Sequence, residues 1–268
     1  MNDEISNEHC RLEVDDGVAV VTLDRPEAKN ALSAPMLVAM YDSWVHINED
    51  PDIRVAILTG AGGAFCAGAD LKSLMDPDLP QVYAKRLAED SELHWKALLR
   101  HYQVRKPLIA AVEGAAVAGG TEILQATDIR VAASSAFFGI FEAKRGLFPL
   151  GGSTVRLQHQ IPFTLAMELL LTARRVEADE ALQIGLIGHV VPDGEALAKA
   201  YEIAEQIAAN GPLAVQAIKE SVLATRDLSE KDGLARELEF GWPVFDTDDA
   251  KEGPRAFAEK RTPNFQGT

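Results

Sequence analysis

The sequence contains little cysteine, few basic residues and no long apolar run. Its 268 residues include only two cysteines, Cys10 and Cys66, too few for a disulfide framework and typical of a reducing compartment. Lysine and arginine number 26 against 41 aspartates and glutamates, giving a formal net charge of −15. Because nucleic acids and anionic membranes are bound chiefly by neutralising their charge, we expect neither as a partner. A phosphate-bearing ligand would require a local basic cluster.

The remaining absences concern targeting and metals. No apolar run reaches the roughly 20 residues of a membrane-spanning helix. The acidic, polar start of the chain lacks the apolar stretch of a secretory signal, so we expect a cytoplasmic protein. The six histidines include no pair at metal-ligand spacing on one helix, so no metal site is predicted. What is present, 47% apolar and 25% charged residues, is ordinary globular composition.

The order of strand and helix signals predicts an α/β core followed by helices. Asp16-Gly17 favours a tight hairpin within residues 12–23, and Ser33 can cap the helix that follows. A single amphipathic helix is expected over roughly Val82 to Tyr102. After residue 163 helices dominate, so we divide the chain into a core of residues 1–195 and a helical region of residues 196–268.

Three glycine-bearing segments, which contain Gly68, Gly119-Gly120 and Gly139, each follow a strand-like run. This order predicts that three strand ends meet at one cleft. At Ala69 and Gly119 a small residue allows a ligand to approach the backbone, and a following helix would expose its first N–H groups. Two N–H groups directed at one carbonyl oxygen form an oxyanion hole. The alternative, two tight turns without catalytic meaning, stays open at this point.

Glu122 and Glu142 follow two of these segments and are the candidate acid/base residues. Glu122 lies where a helix N-terminus favours a carboxylate, which is equally explained by helix stability alone. Glu142 follows the apolar run Phe137 to Phe141, surroundings that raise a carboxyl pKa and favour proton transfer. Its alternative is an ion pair with Lys144 or Arg145.

Other catalytic patterns are incomplete. Residues 60–65 follow a strand, but Phe65 occupies the last glycine position of a dinucleotide-binding fingerprint. Ser153 lacks the G-x-S-x-G elbow of a serine hydrolase.

Several ordered segments resemble the enoyl-CoA hydratase/isomerase family, also called crotonases, over almost the whole chain. The resemblance implies an α/β fold, a crotonase-like spiral of repeated β-β-α units with a C-terminal helical trimerisation region, and a homotrimer or a hexamer built as a dimer of trimers. It also implies an acyl-CoA thioester as ligand and no cofactor, since coenzyme A is part of the substrate. The segments that carry it are residues 25–32 (RPEAKNAL), 57–60 (ILTG), 65–72 (FCAGADLK), 106–112 (KPLIAAV), 119–122 (GGTE) and 257–261 (FAEKR).

The resemblance also assigns roles. The N–H groups of Ala69 and Gly119 would hold the thioester oxygen. The pantetheine and adenine path would be lined by Ala28, Ala67, Asp70 and Leu71, and the CoA phosphates would be reached by Lys29, Lys72 and Lys260, the last from this subunit or a neighbour.

Members that hydrate trans-2-enoyl-CoA carry both acidic residues, as this chain does, which predicts an enoyl-CoA hydratase. Glu122 would activate water toward C3 and Glu142 would deliver a proton to C2. An isomerase, another enolate-forming enzyme such as a decarboxylase or thioester hydrolase, and a catalytically silent acyl-CoA binding protein are the alternatives. The chain departs from the common pattern at Ala118, at Phe141 and at Gly151-Gly152, which stands one position early. The run Glu142-Ala143-Lys144, together with residues 149–153 (PLGGS), resembles a branch associated with bulky acyl chains, including sterol side chains. The alternative is that Phe141 narrows the acyl pocket.

Overall fold

Two β-sheets form the centre of the fold in the computed structural model, which describes residues 5–70 and 79–268. The larger has six strands in the order β1-β2-β3-β4-β6-β9, and the smaller has three in the order β5-β7-β8. Among the strands of these described ranges, β1 with β2 and β7 with β8 are the only antiparallel pairs. The strands are β1 (Cys10–Asp15), β2 (Val18–Leu23), β3 (Val55–Gly60), β4 (Leu108–Val112), β5 (Ala115–Val117), β6 (Ile129–Ala133), β7 (Phe137–Gly139), β8 (Val176–Glu177) and β9 (His189–Val191).

The described part of the chain forms helices around these sheets. They are α1 (Ala34–Glu49), α2 (Gln81–Glu89), α3 (Leu93–Ala97), α4 (Gly119–Leu124), α5 (Ser153–Arg156), α6 (Phe163–Thr172), α7 (Ala178–Gln183), α8 (Ala196–Ala208), α9 (Pro212–Thr225), α10 (Glu230–Phe245) and α11 (Asp248–Glu259). Short 3₁₀ helices cover Pro26–Ala28, Glu142–Arg145 and Leu157–His159.

Local sequence explains the start of the fold. Asp16 and Gly17 both have positive φ, 44° and 77°, so they form the tight turn between β1 and β2. The Ser33 side chain accepts a hydrogen bond from the N–H of Met36 and caps α1, as the sequence predicts.

The prediction of one helix over Val82 to Tyr102 is wrong. The structure has two helices, α2 and α3, separated after Glu89. Asp90 is extended there, and its Oδ1 accepts a hydrogen bond from the N–H of Glu92. A side chain that bonds to nearby backbone offers the chain an alternative to continuing the helix.

Both faces of the six-stranded sheet are buried, so its central strands are apolar runs. On one face, Ile57 and Ile109 pack with Ala200 and Ala204 of α8. On the other, Leu58 and Ala110 belong to the main core together with α1. The predicted boundary after residue 195 stays a prediction; α8, which follows it, packs on this sheet.

From β4 to β7, consecutive strands alternate between the two sheets. After β4 in the larger sheet comes β5 in the smaller sheet and then α4; after β6 comes β7 and then the 3₁₀ helix Glu142–Arg145. This arrangement repeats a β-β-α unit and confirms the predicted crotonase-like fold. It also places Glu122 and Glu142 after the paired strands β5 and β7. Among the described residues, no helix has the length and apolar character needed to cross a membrane.

Candidate active site

The two segments that carry Ala69 and Gly119 lie side by side. Ala69 bridges to Leu32, and the N–H of Val117 donates to the carbonyl of Cys66 at 2.9 Å. A Cβ placed on Gly119 would lie 3.9 Å from the backbone nitrogen of Ala69 and 3.1 Å from Cδ1 of Leu32. The backbones of Ala69 and Gly119 therefore lie close together.

Neither of these N–H groups donates a hydrogen bond to any residue in the ranges 5–70 and 79–268. Gly119 is the first residue of α4, where an N–H has no partner within the helix. Ala118, just before it, has φ 51° and ψ −124°, a conformation that costs an L-residue about 1–3 kcal/mol. Two free, adjacent N–H groups are the geometry of an oxyanion hole.

Glu122 is almost completely buried and its carboxylate is held by backbone. Oε2 accepts a hydrogen bond from the N–H of Gly151 at 2.9 Å, and Oε1 accepts one from the N–H of Ser153 at 3.2 Å. Burial raises the pKa of Glu122 above its ordinary value, while the hydrogen bonds from Ser153 and Gly151 lower it. The carboxylate is thus fixed in orientation.

Glu142 is held less tightly. It begins the 3₁₀ helix after β7, and its Oε2 is buried without a hydrogen-bond partner among the described residues. Burial, with a contribution from the neighbouring charge of Glu122, raises the pKa of Glu142 to about 7. No ion pair joins Glu142 to Lys144 or Arg145 in the described structure, so the ion-pair alternative is not supported. A half-buried carboxyl with this pKa can exchange a proton near neutral pH.

The residues expected along the CoA path lie near Ala69. The N–H of Ala67 donates to the carbonyl of Lys29 at 3.0 Å, which joins the Ala28-Lys29 loop to the Ala69 segment. Asp70 accepts a hydrogen bond from Arg25 at 2.9 Å.

The side chains of Lys29 and Lys260, expected to reach the CoA phosphates, are not tied to the site by hydrogen bonds or ion pairs among the described residues. The Lys29 side chain is exposed. Lys260 is exposed at the end of α11, with φ 55°. Leu71 and Lys72 lie outside the described residues. The CoA-contact roles of all these residues stay predictions.

Sequence reasoning missed residues that hold the site together. Gly151 and Ser153 bind the Glu122 carboxylate, and both lie about 30 positions away along the chain. Asn30 is fully buried, and its Nδ2 donates to the carbonyls of Ala61 and Ala64. No local signal marks this buried polar contact, because the segment around Asn30 (residues 25–32, RPEAKNAL) mixes charged and apolar residues.

A groove of about 1000 Å³ lies between the core and α9 in the described part of the chain, with Gln125, Arg156, Gln160 and Arg226 among its lining residues. Neither Ala69 nor Gly119 lines it. The groove is therefore separate from the space beside the two proposed oxyanion donors.

Comparison with known proteins gives the family. The sequence matches the family profile described as Enoyl-CoA hydratase/isomerase over residues 13–268. It is 57% identical over 247 residues to enoyl-CoA hydratase EchA19 of Mycobacterium tuberculosis, covering 92% of each chain. It is 39% identical to (E)-benzylidenesuccinyl-CoA hydratase of Thauera aromatica, covering 96% of this chain and 98% of that one.

Solved structures agree with these relatives. The fold matches a crystal structure of enoyl-CoA hydratase from Mycobacterium tuberculosis with a TM-score of 0.89 and 41% identity, over 98% of this chain and 100% of that one. A structure titled as a putative enoyl-CoA hydratase/isomerase from Mycobacterium abscessus matches with a TM-score of 0.87 and 45% identity, over 97% and 100%. On sequence and on fold, the chain belongs to the enoyl-CoA hydratase/isomerase family.

Proposed function

We propose that this protein adds water to trans-2-enoyl-CoA to give 3-hydroxyacyl-CoA, using Glu122, Glu142 and the N–H groups of Ala69 and Gly119. The chain is an enoyl-CoA hydratase, a hydro-lyase. The observation that carries the assignment of these residues is the position of two carboxylates after the neighbouring strands β5 and β7. Glu122 is buried and fixed by backbone N–H groups, and Glu142 is half-buried with a raised pKa.

The chemistry follows from where charge develops. When the water oxygen bonds to C3, the electrons of the double bond move toward the thioester oxygen and an enolate forms. The N–H groups of Ala69 and Gly119 would stabilise that oxygen without reorganising. Losing one such donor typically costs about 10²–10³ in rate.

The two glutamates divide the proton transfers. Glu122, held ionised by backbone N–H groups, accepts a proton from the attacking water. Glu142 in its protonated form gives a proton to C2, and the enolate then collapses to the saturated thioester. After the step the pair still holds one proton, now on Glu122, and its transfer to Glu142 restores the starting state. The reaction therefore consumes one water and no other reactant.

Coenzyme A enters as part of the substrate. Ala28, Ala67, Asp70 and Leu71 would line its path, and Lys29, Lys72 and Lys260 would supply the local positive charge that the acidic chain otherwise lacks. The relatives include proteins named for benzylidenesuccinyl-CoA and carnitinyl-CoA, whose acyl groups carry substituents. Together with the run from Glu142 to Ser153, this supports a bulky acyl group as the preferred substrate.

Exposed apolar side chains on α9 and α10 support assembly as a homotrimer or as a hexamer of two trimers. Large apolar surfaces of this kind mark protein contacts. Light scattering after size exclusion tests the assembly, and a monomer at micromolar concentration would contradict it. The exposed side chains are Ile218, Val222, Leu234, Leu238, Trp242 and Phe245.

We place the activity in the cytoplasm, a reducing compartment that fits a sequence with only two cysteines.

The test of function is hydration of short straight-chain and bulky enoyl-CoA thioesters, followed as loss of the conjugated thioester absorbance. We expect Glu122→Gln and Glu142→Gln each to lower kcat by about 10²–10⁴ while CoA-ester binding is retained. Glu113→Gln is the matched control, because the Glu113 carboxylate also accepts backbone N–H bonds, from Gly194 and Ala196, outside the site. Double-bond migration without hydration, or no turnover by folded protein, would overturn the proposal. Equal or faster turnover of the short substrate would overturn the bulky-substrate part alone.

A further inference from the structure

A second row of buried polar groups lies behind the Glu122 carboxylate. Ser153 is completely buried, and its Oγ accepts a hydrogen bond from Nε2 of Gln125 at 2.8 Å. Gln125 is 3% exposed and follows α4, one turn after Glu122. The backbone carbonyl of Gln125 accepts a hydrogen bond from Nε2 of Gln160 at 2.8 Å. The row therefore runs from Glu122 through Ser153 and Gln125 to Gln160.

The geometry of this row determines where the Ser153 proton points. A hydroxyl has one hydrogen to donate, and the amide Nε2 of Gln125 is a donor only. Since Gln125 donates to Ser153, the hydroxyl hydrogen is left for another acceptor. The backbone N–H of Ser153 donates to Oε1 of Glu122 at 3.2 Å, so this carboxylate lies beside the residue that carries the hydroxyl.

The charged groups around Glu122 do not replace these donors. Glu142 faces it from the 3₁₀ helix and disfavours its negative charge. Arg156, at the end of α5, acts on it from a distance, but its Nη2 donates to the carbonyls of Leu99 and Arg100. No ion pair to Glu122 is formed within the described residues. Uncharged hydrogen-bond donors therefore stabilise the ionised form of the buried Glu122 carboxylate.

We propose that Ser153, oriented by Gln125, is a positioning residue that holds Glu122 ionised and aimed at the attacking water. This inference rests on the proposed function of Glu122 as the base. A residue without a hydroxyl at position 153 would leave only the backbone N–H, and Glu122 would bind a proton more readily. The enzyme would then lose activity at the acidic end of its range.

The test is the pH profile of kcat/KM for wild type, Ser153→Ala, Ser153→Thr and Gln125→Met. In Ser153→Ala we expect the midpoint of the acidic limb of the kcat/KM profile to lie about one pH unit higher than in wild type, because hydrogen bonds to charged groups are strong. At pH values below that limb, kcat/KM would be about tenfold lower than in wild type. KM above the limb should stay unchanged. Ser153→Thr restores the hydroxyl and should return the limb toward wild type. Gln125→Met, which removes the donor that orients Ser153, should shift it in the same direction as Ser153→Ala.

Ser43→Ala is the matched control, because Ser43 is a buried serine of α1 that donates to the carbonyl of Ala39 and touches no site residue. Its profile should superimpose on wild type. If Ser153→Ala and Gln125→Met lower only the melting temperature and leave the acidic limb in place, the positioning role is overturned.

A readout independent of turnover separates this inference from the proposed function. The Glu122 carboxylate can be titrated by infrared difference spectroscopy of ¹³C-glutamate-labelled protein, using Glu122→Gln to assign the band. A shifted titration in Ser153→Ala supports the role of Ser153 even if no substrate is hydrated. An unshifted titration refutes it even if hydration is fast.

Discussion

Arg25 and Asp70 form a half-buried ion pair between two loops of the site. Nη1 of Arg25 lies 2.9 Å from Oδ2 of Asp70, and the side chains are 16% and 17% exposed. The same nitrogen donates to the carbonyl of Ala31. Because Asp70 follows Ala69 directly, the pair ties the loop after β2 to the segment that carries one of the two proposed oxyanion donors.

Replacing Arg25 with methionine should therefore affect both stability and catalysis. Breaking a fully buried pair costs about 3–5 kcal/mol; for this half-buried pair we expect a loss of about 1–3 kcal/mol in the free energy of unfolding by urea. Arg11→Met is the matched control, since Arg11 pairs with Asp24 at the same 2.9 Å but with side chains 47% and 29% exposed. That change should cost about 0–1 kcal/mol and leave kcat/KM intact. Equal losses in both variants would contradict the proposed role.

The pH dependence of catalysis should follow the two glutamates. Burial, with the nearby charge of Glu122, raises the pKa of Glu142 to about 7, and Glu142 must be protonated to give a proton to C2. We expect kcat/KM to fall as the pH rises through about 7 and to fall again at acidic pH as Glu122 becomes protonated. Initial rates between pH 4.5 and 9 measure this. In Glu142→Gln the alkaline limb should disappear from the residual activity.

The raised pKa also predicts a pH dependence of stability. A carboxyl whose pKa is higher in the folded than in the unfolded protein binds more protons when folded, so its contribution is complete below the unfolded pKa near 4.5 and is lost as the pH rises through about 7. Glutamine imitates the protonated form at every pH. We expect the melting temperature of Glu142→Gln, relative to wild type, to be higher at pH 8 than at pH 5. The same difference at both values would contradict the assignment.

A methyl group at Gly119 should impair catalysis without unfolding the protein. The new Cβ would lie 3.1 Å from the end of the Leu32 side chain, which can move, and 3.9 Å from the Ala69 nitrogen, beside the space assigned to the thioester oxygen. We expect Gly119→Ala to lower kcat by about tenfold or more, approaching the 10²–10³ cost of a lost oxyanion donor. Gly188→Ala, whose Cβ would meet only the Arg130 carbonyl at 3.7 Å, should keep full activity. Full activity of Gly119→Ala would remove this residue from the oxyanion hole.

The sequence predicted the elements whose determinants are local. The Asp16-Gly17 turn, the Ser33 cap and the apolar run of β4 each depend on a few neighbouring residues, and the structure has all three. Glu122 and Glu142 could be chosen because each follows a strand and a glycine-bearing segment. The resemblance supplied the overall fold, which the structural comparisons confirm.

Long-range contacts were beyond sequence reasoning. One exception is local: the helix divides after Glu89, where Oδ1 of Asp90 accepts a hydrogen bond from the N–H of Glu92 in competition with the helical periodicity. The hold of Gly151 and Ser153 on Glu122 joins positions about 30 residues apart, and nothing in a single sequence pairs them. The strand β5 was missed because three residues are too few to show a period.

The pairing of β5 with β7 sets the spacing between the two halves of the reaction. The N–H of Ala118 donates to the carbonyl of Gly139 at 2.7 Å, so the residue before one oxyanion donor is attached to the strand that leads to Glu142. Neighbouring strands lie about 4.8 Å apart, and a slip of one residue would turn every side chain to the opposite face. Three residues of ladder therefore tie the backbone beside Gly119, a proposed oxyanion donor, to the strand that leads to Glu142, the proposed proton donor. In the proposed reaction the two residues act on the thioester oxygen and on C2, so any change in this register would move one group relative to the other.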